Sequence, residues 1–269
     1  MDFERGLFSE ALYVLKKCWR WVAIIIGANF FVNAISIHYP GSEGSSQHTA
    51  IVILLKLVNL SWILLFYKAH ATILGKTRSF SEDLKVSFGF LGRVIIYMIA
   101  CLIPMLLFWG WLFIHYPELL DIFVSGTLVR YKIPSNGLEF YLALAAILTS
   151  LVLMIMLSTY LPAYVDQKNM GFRAAFDRGK RQWGFILLRS IVLWVVMAVA
   201  MFILGFVTTS IIEYNIPAVG PNLHAIEERI QIIGLWLLVP FSLVYAYFCA
   251  AVCVILSRAY LRDLALDRA

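Results

Sequence analysis

Six apolar stretches, each long enough to cross about 30 Å of hydrocarbon as a helix, divide this chain. They run from Trp21 to Ile37, Ile51 to Tyr67, Val94 to Ile114, Phe140 to Leu161, Ile191 to Ile212 and Ile230 to Ile255. None alternates apolar and polar residues as a barrel strand does, and a backbone facing lipid must satisfy its own hydrogen bonds. The pattern predicts an all-α membrane protein with six transmembrane helices. Composition agrees: 62% of residues are hydrophobic and 14% charged, against roughly 45–50% and 25% in soluble domains.

Charge supplies an orientation. Lys and Arg resist translocation, so the connecting segments that hold them are expected on the cytoplasmic side. Arg5, Lys16, Lys17 and Arg20 precede the first span, and Lys68, Lys76, Arg78, Lys85 and Arg93 lie between the second and third. Lys168, Arg173, Arg178, Lys180, Arg181 and Arg189 lie between the fourth and fifth, and Arg258, Arg262 and Arg268 follow the sixth. These are eighteen of the 22 basic residues, with only Arg130, Lys132 and Arg229 opposite them and Lys56 inside a span. The expected arrangement is a multi-pass protein of the inner (cytoplasmic) membrane with both termini cytoplasmic. Its basic flanks suit anionic lipid headgroups, not nucleic acid. Asp2, Glu4 and Glu10 ahead of the first span argue against a cleavable signal there, so that span is expected to stay as an anchor.

The chain also resembles itself. Phe8-Ser9-Glu10-Ala11-Leu12-Tyr13-Val14 and Phe80-Ser81-Glu82-Asp83-Leu84-Lys85-Val86 agree at five of seven positions. Phe172, Phe176 and Trp183 mark a weaker third copy, with Trp183 corresponding to Trp19. Ile37-His38-Tyr39-Pro40 returns as Ile114-His115-Tyr116-Pro117, and Ile212-Glu213-Tyr214-Asn215-Ile216-Pro217 is a looser echo. The 269 residues therefore read as one six-span domain of three helical hairpin repeats, about 1–67, 76–162 and 168–258. Each opens with a cytoplasmic interfacial amphipathic helix. In the second, Phe80, Leu84, Phe88 and Leu91 form an apolar stripe behind a capping box of Ser79 and Glu82; in the third, basic residues flank Phe172 and Phe176. Arg173, Arg178, Lys180, Arg181, Lys76 and Arg78 are the candidate headgroup contacts. A connecting helix packed beneath the bundle is the plainer reading of the same segments.

Packing signals complete the outline. Pro104 and Pro240 fall mid-span and are expected to kink their helices. Ala23 with Gly27 on the first span, and Ser242, Ala246 and Ala250 on the sixth, allow close helix approach. No cysteine is placed for an outer-face disulfide, since Cys101, Cys249 and Cys253 lie in spans and Cys18 at the inner boundary.

An ionisable side chain inside a span is the first suspect for function, because a charge at the bilayer centre costs at least about 2.5–3.5 kcal/mol. Lys56 is that residue. Asn59 lies one turn deeper, Asn29 and Asn33 share a face of the first span, and Glu139 and Glu213 stand at outer boundaries. Together they define a candidate polar pocket in the outer half of the bundle. A lysine snorkelling to the interface beside interhelical hydrogen bonds explains the same residues without a ligand. Four histidines, His38, His48, His115 and His224, are on the expected outer side, but the repeat accounts for two and no H-x-x-x-H spacing supports a metal. No P-loop, nucleophile elbow or H-E-x-x-H occurs, so no catalytic, cofactor or metal residue is assigned.

Tyr160-Leu161-Pro162-Ala163-Tyr164-Val165-Asp166, followed by Gly171, Ala174, Ala175, Gly179 and Trp183, resembles a broad bacterial family of integral membrane proteins. The family includes the membrane portion fused to some glycerophosphodiester phosphodiesterases. The shared pattern is a span ending in proline, an acidic turn, a helix with small residues and a return into the membrane. The resemblance extends over about residues 60 to 265 and implies this fold. The phosphodiesterase barrel needs about 250 further residues, for which the chain has no room. Three roles follow as alternatives: a non-enzymatic component acting through membrane lipids or a membrane-protein partner, a small transporter using the polar pocket, or a lipid-modifying enzyme. A continuous polar cavity would favour transport, and a dry interior the first.

Overall fold

A computed structural model describes residues 6–38, 46–76, 80–117, 138–168, 171–215 and 223–267, and all regular structure among them is helical. The helices are α1 (Leu7–Lys17), α2 (Trp19–His38), α3 (Ser46–Ile73), α4 (Phe80–His115), α5 (Leu138–Met156), α6 (Tyr160–Asp166), α7 (Phe172–Asn215) and α8 (Leu223–Leu266). Among the described residues, six segments are long and apolar enough to cross a membrane: Trp19–Ile37, Thr49–Ile73, Lys85–His115, Leu138–Asp166, Phe172–Tyr214 and Arg229–Leu266. The fold is thus that of an all-helical, six-span membrane protein.

Two compact units make up the chain, residues 1–88 with 184–269, and residues 89–183. In the first, α1 packs on α8, α2 on α3, and both α2 and α3 on α8. Its buried side chains gather at the basic ends of the helices: Ala11, Val14 and Cys18 at the start, Leu65, Ala69 and Ala71 on α3, and Ala250 to Ile255 with Ala259 and Tyr260 on α8, apart from Val252. The opposite halves instead present Phe31, Ile53, Leu57, Phe202, Phe206 and Trp236 outward. In water so large an apolar surface would aggregate, whereas lipid tails are as apolar as the side chains and leave it stable.

Three hydrogen-bonded groups of polar side chains cross this basic-end core. Arg258 grips Glu10 through both carboxylate oxygens, with Nε donating at 2.8 and 3.0 Å and Nη2 adding a third bond. Asp83 accepts from Lys68 Nζ and from Tyr67 OH (3.2 Å). His70 Nδ1 and Ser257 Oγ share a 2.7 Å hydrogen bond. Low local dielectric strengthens such bonds and makes an unmade one expensive, so they pin α1, α3, α8 and the first turns of α4 together.

In the second unit, the span expected to run unbroken from Phe140 to Leu161 is instead interrupted at 157–159. Pro162 explains the correction: it has no N–H to donate, and in a continuous helix its ring would strike the carbonyl four residues back, at Ser158. The chain turns there, with Tyr160 N–H donating to Leu157 O at 2.9 Å, and resumes as α6. Thr159 anchors the break by accepting from Arg178 Nε (3.2 Å) and donating to Ala175 O (3.3 Å). Tyr160 stacks on Phe172 at 4.4 Å and 7°, and its hydroxyl accepts from Arg93 Nη1 at 2.9 Å. α6 ends at Gln167, whose φ of 60° is the left-handed turn residue.

One further expectation meets a different arrangement. The segments thought to lie in the headgroup plane before the third and fifth spans are continuous with them, forming helices of 36 and 44 residues. Only α1 is separated from its span, by a turn at Cys18. Pro104 and Pro240 both lie inside continuous helices. Ser79 lies outside the described residues, as do the side chains of Phe80 and Leu84, and with them the proposed cap and half the stripe.

Candidate functional site

Of the predicted polar pocket, the structure brings Asn29 and Asn59 together. They line a cavity of about 570 Å³ in the first unit, with Trp62, Ile63, Phe66, Met197, Met201, Leu238, Phe241, Ser242 and Tyr245. Its walls are mostly apolar. Asn29 donates Nδ2 to Ile25 O at 3.1 Å, and Asn33 donates to Asn29 O at 2.8 Å, so each spends a donor on its own helix. Lys56 is exposed on α3 and is not part of the lining, nor is Asn33. Glu213 is exposed on α7. Glu139 belongs to the other unit, where it accepts a 2.6 Å bond from Tyr116 OH.

The candidate headgroup contacts divide. Arg173, Lys180 and Arg181 are exposed and Lys76 is half-buried. Arg178 is 3% exposed and turned inward onto Thr159. Arg78 lies outside the described residues. The echo through Tyr39 and Pro40, and Ile216 with Pro217, lie outside them as well, as do the side chains of His38, His48 and His224. All four cysteines are buried free thiols, and among the described residues no three His, Cys, Asp or Glu side chains cluster to hold a metal.

An apolar groove that the hydropathy pattern did not reveal runs between α2 and α8. It encloses about 690 Å³ and is lined by Leu15, Lys16, Trp19, Val22, Ala23, Ile26, Gly27, Phe30, Trp236, Val239 and Leu243. Ala23 and Gly27 were expected to seat a neighbouring helix. Both are exposed, and no atom lies within 4 Å of where a Gly27 side chain would begin. Their smallness opens the groove instead of closing a helix contact, whereas Ala246 and Ala250 on α8 are buried. At one end stand Lys16 and Trp19, a cation and an amphipathic ring of the kind that anchors at a lipid headgroup.

A second cavity, of about 380 Å³, lies at the basic end of the same unit between the start of α1, α7 and the end of α8. Glu10, Phe185, Arg189, Arg258, Arg262, Ala265 and Leu266 line it. Arg189 and Arg262 both rest on the Phe185 ring, at 4.3 and 4.5 Å from its centroid. Sequence offered one faint signal, the one-turn spacings Phe185 to Arg189 and Arg258 to Arg262, and could not show that they face each other.

Six long apolar helices among the described residues define a multi-pass helical membrane protein. No protein-family model matches the chain, and no curated protein or solved structure is significantly similar to it.

Proposed function

We propose that this chain is a non-enzymatic component of a bacterial inner membrane that acts by holding lipid, with both termini and the basic end in the cytoplasm. The observation that carries the reading is the groove between α2 and α8, whose apolar length and single cation at one end match an acyl chain below an anionic headgroup. The glycerophosphodiesterase-associated membrane family is the proposed relationship, and three hairpin repeats the proposed internal organisation. On this reading α1 lies at headgroup level, with Phe8, Leu12 and Tyr13 toward the acyl region and Lys16 and Lys17 toward phosphate; all five are exposed. Arg173, Lys180 and Arg181 add further contacts. A membrane-protein partner would meet the same face.

The transport reading draws support from the cavity at Asn29 and Asn59, but its mostly apolar walls, without Lys56 or Asn33, favour lipid over a hydrated solute. Extraction in polymer-bounded native discs followed by lipid mass spectrometry tests the proposal. Wild type should retain an anionic phospholipid above its share of the membrane, and Gly27→Trp, which fills the groove from an open position, should reduce that enrichment severalfold. Equal lipid profiles for the two proteins would refute it. Protease protection of tagged ends tests the orientation, and a terminus outside the cytoplasm would overturn it.

A further inference from the structure

The cavity at Phe185 holds more positive charge than its own residues balance. Three guanidiniums line it against one carboxylate, Glu10, which Arg258 already engages through both oxygens. That leaves Arg189 and Arg262, one from α7 and one from α8, meeting on a single aromatic ring and ion-paired to no described residue. Holding two like charges against one ring is unfavourable unless water or an anion stands between them. The ring contacts orient both planar donors, which lowers the side-chain freedom lost when they bind. Arginine forks match phosphate oxygens two at a time, and the space is sufficient for a phosphate group with part of what it carries.

We infer that the cavity bounded by Phe185, Arg189 and Arg262 is a binding site for a phosphate group, clamped between the two guanidiniums and delivered by an anionic lipid headgroup or as a free phosphate. Arg258 is held by Glu10 and forms the wall, and Ala265 and Leu266 border the entrance. The inference stands on this cavity alone. It survives if the groove between α2 and α8 proves empty, because Gly27→Trp does not touch it.

The test uses the full chain in mild detergent, titrated separately with short-chain phosphatidic acid, short-chain phosphatidylcholine and inorganic phosphate, and read by native mass spectrometry and calorimetry. Phosphatidic acid should bind saturably and more tightly than phosphatidylcholine, and Arg262→Gln should weaken it about tenfold or more, as expected for a lost charge-assisted bond. Ala265→Glu places a carboxylate at the exposed rim with both arginines intact, and should compete with phosphate by a similar factor. It provides the decision should Arg262→Gln fail to fold. Tight binding of inorganic phosphate, lost in the same variants, would support the site and identify a soluble source. If inorganic phosphate stays weak while phosphatidic acid binding is lost, the source is a lipid. Unchanged affinities for phosphatidic acid and inorganic phosphate in a folded variant, or phosphatidylcholine bound as tightly as phosphatidic acid with no inorganic phosphate binding, would overturn the proposal.

Discussion

Gly179→Ala should destabilise the second unit out of proportion to the one methyl group it adds. Gly179 sits on α7 directly against the backbone of Met156, the last residue of α5, so that a Cβ would overlap the Met156 carbonyl group and its Cα. Backbone cannot swing aside as a long side chain does. Relief requires α7 to move away from the break at 157–159, which pulls the neighbouring Arg178 from Thr159 and strains the Tyr160–Phe172 stack. Overpacking costs about 1–3 kcal/mol, and weakening a hydrogen bond to a charged group adds up to about 1.5–3 kcal/mol. A total near 3 kcal/mol is therefore expected, offset by less than about 1 kcal/mol from the better helix propensity of alanine. At roughly 2–4 °C per kcal/mol for a protein of this size, the melting temperature should fall by about 4–12 °C. The assay is thermal unfolding in detergent, followed by intrinsic fluorescence or by retention on gel filtration. Gly92→Ala is the control, since nothing lies within 4 Å of its added carbon and the change should be neutral or slightly stabilising. Gly89→Ala meets only the hydroxyl end of Tyr164, a side chain able to shift, and should fall between the two. A Gly179→Ala melting temperature equal to that of Gly92→Ala would refute the reasoning.

Three other outcomes follow from the same packing. Glu10→Leu removes the carboxylate that Arg258 grips and should cost up to about 3 kcal/mol, while the double change Glu10→Leu with Arg258→Met recovers much of it; equal melting temperatures for single and double variants would count against a paired core. Lys56→Met should be tolerated, with unchanged yield and a melting temperature the same or higher, because the side chain is exposed on α3 and holds none of the cavity at Asn29; a collapse in yield would give Lys56 a structural role. Burial pushes the Cys18 thiol above its ordinary value, against the opposing pull of the Thr72 hydroxyl and Lys68. Cys18 is 1% exposed and its reactive thiolate is disfavoured, so maleimide at neutral pH, mapped by peptide mass spectrometry, should label it far more slowly in the folded protein than after denaturation; equal rates would contradict it.

The proline, small and aromatic residues between Tyr160 and Gly179 are mostly joints in the second unit. Pro162 forces the break, Tyr160 stacks across it, Gly179 admits the backbone behind it and Ala175 packs beneath it at zero exposure. A sequence shows that such small and aromatic residues recur. It does not show that they meet around one interrupted helix, because Thr159 and Arg178 come together only once α7 folds back on the α5–α6 segment. The small residues teach the same lesson in reverse: Ala23 and Gly27 look like a packing face and are the floor of a groove, while Ala246 and Ala250 look no different and are buried.

By itself the sequence determined that this is a helical chain with six membrane-length apolar segments. That property is set one segment at a time, by the partition of side chains between water and hydrocarbon and by the need of each backbone to close its own hydrogen bonds. Tertiary structure alone decided which helices touch, that Lys56 stands apart from Asn29, and that Arg189 and Arg262 share one ring. Those outcomes depend on how helices rotate and approach, and in lipid every apolar face is equally content until small residues, buried hydrogen bonds and paired charges choose among them.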